Sequence, residues 1–327
     1  MNDARRYVNQ LMPGEVLDQI FLVRDKDLRT TANGALYICC TLMDRTGKLS
    51  ARMWQASELI YNSIPTDGFI HIKGRTESYK GAMQLIIDAM RPMKTPNVEI
   101  ADFLPCTLND REKMWEELLE TMRAIKNPPI RLLLKKFVED RELVEKFKKA
   151  PAAMQMHHAF IGGLLEHTLN LARLAKAILP LYPQLNADLL LAGVFLHDIG
   201  KTEELSCDLT FTYTDRGQLI GHIITATVWV QQKADLVSAE TGTLFPRRTL
   251  DLLQHMILSH HGNYEFGSPK LPMIPEAQVL HHLDNLDAKT YMFTREIEND
   301  PDTQSSFTSF QRQLDVRIFK RASDLDE

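Results

Sequence analysis

Histidine and aspartate residues recur along the C-terminal half of the chain in the order H…HD…H…HH…D. The positions are His167, His197, Asp198, His222, His260, His261 and Asp284. Neutral imidazole nitrogens suit first-row transition metals, and an anionic carboxylate can bridge two ions. His197 and Asp198 directly follow the apolar run LLLAGVFL, where burying them is costly unless a cation compensates them. A lone HD dipeptide means little, but the ordered set predicts a site for one or two divalent metal ions.

Metal-assisted cleavage of a phosphoester bond is the chemistry that this residue set predicts. Two ions about 3.5–4 Å apart can activate a water molecule and bridge the scissile phosphate. Asp198 would then be central to catalysis, and Lys201, three residues later, could neutralise a phosphate oxygen. The sequence contains neither a GxSxG elbow nor a GxxxxGK[ST] phosphate loop, and the reaction requires no serine or cysteine nucleophile. Manganese is the expected ion, with cobalt, iron, magnesium, zinc and nickel left open.

Helices are predicted to carry these ligands, because the sequence beyond Asp110 has helical periodicity. Candidate helices cover 157–179, 187–198, 218–240, 247–259 and 275–298. A helical bundle can aim side chains from several helices at one internal point. We therefore expect an all-α bundle at 151–298, preceded by connecting basic helices at 111–150 and followed by a tail at 299–327.

Strand-forming segments dominate the N-terminal part of the chain, over residues 15–90. Turn signals such as Asn33-Gly34 and Pro65-Thr66-Asp67-Gly68 separate them. Five strands with a helix inserted after the third is the order of an OB-fold, a small β-barrel that often binds single-stranded nucleic acid. The predicted fold class is a multidomain α+β protein: an OB-fold at 1–92, a proline-containing linker at 93–110 and then the helices.

Bulk properties set broader limits on function. The formal net charge of −5 argues against wholesale coating of nucleic acid, but the first 95 residues are mildly basic and permit contact with phosphates. No apolar run approaches the roughly 20 residues that a membrane helix needs, and no secretory signal is visible, so we expect a cytoplasmic protein without a membrane partner. The four cysteines form no CxxC pair, which disfavours a zinc ribbon.

Longer motifs around the ligands resemble a known family. The H…HD…D order is similar to that of HD-domain phosphohydrolases. The segments that resemble the YhaM-type 3′-to-5′ exoribonuclease family are HHAFIGGLLEHT (157–168), DLLLAGVFLHDIGK (188–201), FTYTDRGQLIGHI (211–223), HMILSHHG (255–262), EFGSPKLP (265–272) and HHLDNLDAK (281–289). RTTANGALYICCTLMDRTGKLSARMW (29–54) is similar to the OB-fold of that family. The resemblance covers roughly residues 15–295.

The resemblance implies a metal-dependent exonuclease that acts on single-stranded RNA, with single-stranded DNA as a second substrate class. It implies one ion held by His167, His197, Asp198 and Asp284. It implies a second ion held by Asp198, His222, His260 and His261. Candidate substrate contacts are His157, His158, Tyr37, Arg52, Lys73 and Tyr79. Trp54 and Phe69 are also candidates for stacking on bases, but the barrel core is the favoured position for both. Asp287 either orients a ligand or lies on a helix surface, and a homo-oligomer is left open.

Two other functions use the same features. A nucleotide or cyclic-dinucleotide phosphohydrolase would need the same ligands, but a free nucleotide needs no strand-binding barrel. The cyclic-dinucleotide case is further disfavoured because GNYEFGSPKLP follows His261 where that subgroup has GYP. A nucleic-acid-binding factor with a non-catalytic helical domain is the third possibility, and the intact ligand set argues against it.

Overall fold

The computed structural model describes residues 5–79, 81–93, 98–154, 158–207 and 210–320. Within these ranges the chain divides into two compact units. One comprises residues up to Cys106 together with 207–211, and the other comprises Thr107–Ser206 and the residues from Thr212 onward.

A five-stranded closed barrel forms the first unit. Its elements are β1 (Val16–Thr30), β2 (Leu36–Asp44), β3 (Gly47–Met53), α1 (Glu58–Ser63), β4 (Gly68–Tyr79) and β5 (Ala82–Met93). The strands pair in the order β1-β2-β3-β5-β4, and β4 returns to pair with β1. Only the β3–β5 pairing is parallel among these strands. The strand order and the helix after the third strand confirm the predicted OB-fold.

Alternating apolar residues fill the barrel. On β2, Ile38, Cys40 and Leu42 are buried at every second position, which is the pattern of a strand with one face on a core. Gly74 permits the close approach of β4 to β5, because an added Cβ there would overlap the carbonyl oxygen of Ile86.

Of the two aromatic residues expected in the barrel core, Phe69 is buried and Trp54 is exposed. Phe69 is 6% exposed, as predicted. The prediction for Trp54 is wrong, since this residue is 44% exposed. The reason is the alternation of β3, in which Leu49 and Ala51 face the core and Ser50 faces outward, so that Trp54 falls on the outward side.

Helices build the second unit. They are α2 (Arg111–Arg123), α3 (Pro128–Val138), α4 (Arg141–Lys149), α5 (Gly163–Ile178), α6 (Ala187–Leu196), α7 (Lys201–Glu204), α8 (Asp215–Thr241), α9 (Arg247–Ser259) and α10 (Pro275–Glu298). Side chains at the N-caps fix several helix starts: Asp110, Asn127, Asp140 and Asn186 each accept a backbone N–H of the first turn. Helices α2 to α6 and α8 to α10 share one hydrophobic core.

The helical unit departs from the prediction in two places. Strands β6 (Leu205–Ser206) and β7 (Thr212–Tyr213) form a two-stranded antiparallel sheet, so the unit is not purely helical. Helix α8 is interrupted at Gly221, which has φ 76° and ψ 163°. None of the helices described here has the length and apolar character to span a membrane.

Two intervals outside the regular bundle also contain structure. The interval 93–110 includes a short 3-10 helix, Ile100–Asp102, and the buried Phe103, whose ring lies 4.8 Å from that of Phe69. In the C-terminal tail, isolated bridges pair Phe307 with Phe319 and Gln311 with Val316.

Candidate metal centre

Five elements bring the seven candidate ligands together. His167 lies in the second turn of α5, and His260 caps the C-terminal end of α9 with His261 next to it. His197 caps α6 and precedes Asp198, His222 follows the break in α8, and Asp284 lies on α10. All of them come from the second unit.

Asp198 directs one carboxylate oxygen toward each of two histidine pairs. Its Oδ2 lies 3.3 Å from Nε2 of His197 and 3.8 Å from Nε2 of His167. Its Oδ1 lies 3.3 Å from Nε2 of His222 and 3.5 Å from Nε2 of His260. The side chain is 3% exposed. A carboxylate with separate nitrogen donors beside each oxygen has the geometry to bridge two ions.

Asp284 and His261, the two remaining candidates, each join one of the two histidine pairs that flank Asp198. Asp284 Oδ1 lies 3.3 Å from Nε2 of His167, on the side of Asp198 Oδ2. His261 joins His222 and His260, and the donor atoms of these three histidines all lie within 4.8 Å of one another. The structure therefore brings all seven residues to one place.

Backbone carbonyls orient three of the five histidines. The acceptors are the oxygens of Val194 for His197 (2.8 Å), of Ile257 for His260 (2.7 Å) and of Phe266 for His261 (2.8 Å). A carbonyl oxygen can only accept, so each of these rings carries its proton on Nδ1 and its lone pair on Nε2. The lone pair is then available to a metal ion.

Several buried nitrogen and oxygen atoms of the candidate ligands have no hydrogen-bond partner among the described residues. Nε2 of His197, His222 and His260 and Oδ1 of Asp198 are buried and make no hydrogen bond with any group that the structure describes. Buried polar atoms of this kind normally have a partner. Divalent ions on the two sides of Asp198 would provide partners for these atoms, so the residues present fit a metal site.

Protonation in the second histidine group also suits metal binding. Burial lowers the pKa of His261 to about 4, and the neighbouring His260 acts in the same direction. Burial likewise lowers the pKa of His260. Burial would raise the pKa of the Asp198 carboxyl, but Lys201 and His197 outweigh it and hold that pKa well below its usual range. Neutral imidazoles beside an ionised carboxylate are the state that metal ligands require.

His167 behaves differently from these residues. Burial would lower its pKa, but hydrogen bonds to Asp284 and Asp287 raise the pKa to about 9. A cation held by its Nε2 would displace the proton, because metal ligands bind in their deprotonated form.

Carboxylates, rather than carbonyls, hold the other two histidines. Nδ1 of His167 lies 2.8 Å from Oδ2 of Asp287, and Nδ1 of His222 lies 2.9 Å from Oε2 of Glu204. The sequence leaves open whether Asp287 orients a candidate ligand or lies on a helix surface. Its contact with His167 favours the first possibility. Glu204 was missed, because its role depends on the break at Gly221 and no spacing pattern marks it.

Glycines allow the local approach of these elements. An added Cβ at Gly200 would overlap the backbone carbonyl of His222, so glycine is required between Asp198 and Lys201 for α8 to come close. At the break, Gly221 has positive φ, which favours glycine, and it turns the chain immediately before His222.

Lys201 lies inside the centre. Its Nζ is 2.6 Å from Oδ2 of Asp198, and the residue is 8% exposed. Burial would lower the pKa of this lysine, but the charge of Asp198 outweighs burial and raises it. Lys201 also lines a cavity of about 220 Å³ with His261, Phe266, His281 and Asp284.

His158 is buried at the edge of the centre. It is 2% exposed, its Nε2 lies 2.9 Å from Oδ2 of Asp287, and its ring stacks on Tyr291 with centroids 4.4 Å apart. His158, His167 and Asp287 are close enough to hold an ion. Since Nε2 of His167 faces Asp198 and Asp284, we interpret this group as hydrogen-bonded support. His157 lies outside the described residues.

The other histidines make ordinary contacts. Nε2 of His255 accepts from the backbone of Met273, and Nδ1 of His281 donates to the carbonyl of His260. His282 bonds Gln278, and His71 lies 3.1 Å from Asp18.

A second candidate site lies on the barrel. Tyr37 and Trp54 have ring centroids 5.0 Å apart, and the guanidinium of Arg52 lies 5.9 Å from the Trp54 ring and 5.2 Å from the Tyr79 ring. We call these four residues the aromatic patch. Lys73 is not among its contacts, because its Nζ pairs with Asp18 at 2.9 Å.

Most of the chain is similar in sequence to known proteins. The family model described as HD domain matches residues 164–289, which include every candidate ligand. The protein of Bacillus subtilis (strain 168) named 3′-5′ exoribonuclease YhaM is 36% identical over 87% of this chain and 88% of that relative. A protein of the same name from Geobacillus sp. (strain WCH70) is 38% identical over 87% of this chain and 86% of that relative. Among solved structures, a domain of replication protein A from Methanococcus maripaludis covers 27% of this chain and 93% of its own, at 16% identity and a TM-score of 0.24. The chain belongs to the family of YhaM 3′-5′ exoribonucleases.

Proposed function

We propose that this protein is a metal-dependent 3′-to-5′ exoribonuclease that hydrolyses phosphodiester bonds of single-stranded RNA. The observation that carries the proposal is Asp198, whose two oxygens each face a separate pair of imidazole nitrogens. The family to which the chain belongs supplies the polarity and the substrate class.

The arrangement supports the two ligand sets that the family resemblance implies. One ion would be held by His167, His197, Asp198 and Asp284. A second ion would be held by Asp198, His222, His260 and His261. Manganese is the ion that we propose, and a metal pair supplies an activated water and relief of charge at the phosphate.

Lys201 has two tasks in this proposal. In the metal-free protein it balances the charge of Asp198 through the 2.6 Å ion pair. It also lines the cavity beside His261 and Asp284, where its ammonium group can meet a phosphate oxygen of the substrate.

The aromatic patch is the proposed contact for single-stranded nucleic acid. Trp54 and Tyr79 are 44% and 45% exposed, so their rings are accessible to bases. Stacking tolerates every base, and the guanidinium of Arg52 adds a positive charge for the backbone. Stacking does not recognise the ribose 2′-hydroxyl, so single-stranded DNA is a second substrate class for this surface. Lys73 is a weaker candidate because Asp18 neutralises it.

A labelled-RNA assay tests the function. The purified chain is incubated with Mn²⁺ and a 5′-labelled single-stranded RNA, in parallel with His197→Ala, Asp198→Ala and the control His282→Ala. We expect the unchanged chain and the exposed control to shorten the RNA progressively from its 3′ end, and the other two variants to leave it intact. Binding without shortening would instead favour a non-catalytic binding factor. Cleavage of small nucleotides alone would favour a nucleotide phosphohydrolase.

We propose that the chain comprises an OB-fold domain at 1–92, a linker at 93–110, connecting basic helices at 111–150, an HD phosphohydrolase domain at 151–298 and a tail at 299–327. We propose a cytoplasmic location, because Cys39, Cys40, Cys106 and Cys207 are all free thiols, as is usual in a reducing compartment. A homo-oligomer is the assembly to test, by measuring the mass of the native protein in solution.

A further inference from the structure

We propose that Glu204 and Asp287 are the positioning residues of the two metal sites, one for each site, and that each controls the occupancy of its own site. The inference rests on the proposed metal centre. The five candidate ligand histidines fall into two classes. Backbone carbonyls hold three of them, and carboxylates hold the other two. One of those two, His167, belongs to the first ligand set, and the other, His222, belongs to the second.

Glu204 holds His222 through both of its oxygens. Oε2 lies 2.9 Å from Nδ1 of the ring, and Oε1 accepts the backbone N–H of His222 at 3.1 Å. The break at Gly221 makes His222 the first residue of the helical segment that follows, and such a segment begins with N–H groups that need an outside acceptor. The carboxylate therefore caps the segment and orients the ligand ring at the same time. Its side chain is 12% exposed, so water competes little for these bonds.

Asp287 holds His167 from the opposite helix. It lies one helical turn after Asp284 on α10, and its Oδ2 is 2.8 Å from Nδ1 of His167. The same oxygen lies 2.9 Å from Nε2 of His158, and Oδ1 accepts from Asn170 at 3.2 Å. The side chain is 11% exposed. These additional contacts fix the carboxylate, which in turn fixes the ligand ring.

The two supports are separate in the structure. Glu204 belongs to α7 and acts on the histidine beside Oδ1 of Asp198. Asp287 belongs to α10 and acts on the histidine beside Oδ2 of Asp198. Loss of one support should therefore weaken one ion more than the other. Loss of an outer-shell partner of a metal ligand typically costs 10–100-fold in metal affinity.

Glu204→Gln is an informative substitution because it preserves shape. The carboxylate accepts two N–H groups of His222, whereas an amide has one acceptor and one donor end. Either the backbone N–H or the ring Nδ1–H loses its acceptor, and an amide that donates to Nδ1 places the ring proton on Nε2, where the ion should bind. We expect Glu203→Gln, the matched control, to leave the affinity for Mn²⁺ unchanged. The Glu203 carboxylate pairs with Arg216 at 3.2 Å, whereas Glu204 pairs with His222.

The test is a titration of the full chain with Mn²⁺ alone, after metal removal by a chelator. We expect two ions for the unchanged chain, and one ion weakened by about 10–100-fold in Glu204→Gln. Asp287→Ala should weaken the other ion to a similar extent, with Asp287→Asn as the milder variant and Glu298→Gln as its control. In combination with His222→Ala, the Glu204 substitution should add nothing, whereas the Asp287 substitution should still weaken the remaining ion.

Several results would overturn the inference. Two ions bound with unchanged affinity in both variants would show that neither carboxylate controls occupancy. Equal weakening of both ions in each variant, together with a lower melting temperature, would indicate a general structural role. A chain that binds Mn²⁺ at a single position would refute the division between two sites. If the unchanged chain binds no Mn²⁺ at all, the proposed metal-dependent function itself fails.

Discussion

Lys201 and Asp198 form a buried ion pair, with 2.6 Å between Nζ and Oδ2, inside the group of candidate metal ligands. The aspartate oxygen that faces His197 and His167 is thus also the oxygen that the lysine contacts. The lysine compensates the charge of the carboxylate. A cation held by Asp198 would share that task, and the lysine also lines the cavity that the proposed phosphate would enter.

Lys201→Met should lower the stability of the metal-free protein more than that of the protein with Mn²⁺. Removing one partner of a buried ion pair leaves an uncompensated charge, so the free energy of unfolding of the metal-free protein should fall by about 3–5 kcal/mol. Mn²⁺ should restore much of that loss, because it replaces the missing positive charge. Urea unfolding with and without Mn²⁺ measures both effects. A metal-free variant as stable as the unchanged chain would contradict this account of the ion pair.

Binding of Mn²⁺ should stabilise the folded chain. A ligand that binds the folded state alone adds about 2.7 kcal/mol when its concentration is 100 times its dissociation constant. The melting temperature should therefore rise with Mn²⁺ concentration in the unchanged chain and in the surface variant His282→Ala. Asp198→Ala should respond much less, because it removes a ligand from both sites. An equal rise in all three proteins would mean that the ions bind elsewhere.

Gly200→Ala should disturb the second ligand set. The added Cβ would overlap the carbonyl of His222, so α7 and α8 must separate, and overpacking of this kind costs typically about 1–3 kcal/mol. We expect weaker binding of one Mn²⁺ ion and a lower melting temperature. Gly47→Ala is the control, since the nearest atom to its Cβ is a methyl group of Val8 at 3.6 Å. Unchanged metal binding in Gly200→Ala would contradict the close packing of these elements.

The role of the aromatic patch in RNA binding can be measured separately from RNA hydrolysis. Trp54→Ala and Tyr79→Ala should each weaken binding of single-stranded RNA by about 1–3 kcal/mol, which is the usual contribution of one base stacked on an aromatic ring. Tyr182→Ala is a matched control, because Tyr182 is 48% exposed but lies in the helical unit. Fluorescence anisotropy with an Asp198→Ala background avoids degradation of the RNA. Equal affinities across the series would remove the patch from the RNA-binding surface.

The seven candidate ligands, which the structure brings together, could be singled out from the sequence because each lies in a motif that extends over several neighbours. The barrel could be predicted because turn residues separate its strands in the order of an OB-fold. Glu204 could not, since its contact with His222 depends on backbone dihedral angles at Gly221. The expectation of a buried Trp54 follows the ring's apolar character, but the alternation of β3 with Leu49 and Ala51 inward places position 54 on the outer face. The pairing of β6 with β7 could not be predicted because two-residue strands carry no periodicity.

The most direct test of the proposed function is the rate at which a 5′-labelled single-stranded RNA is shortened as Mn²⁺ is added. The unchanged chain should produce a ladder of products that shortens from the 3′ end, at a rate that rises with Mn²⁺ and then saturates. Asp198→Ala should produce no ladder at any Mn²⁺ concentration. Equal shortening by Asp198→Ala, or shortening that persists in the presence of a chelator, would contradict the assignment of Asp198 as the shared ligand of a catalytic metal centre.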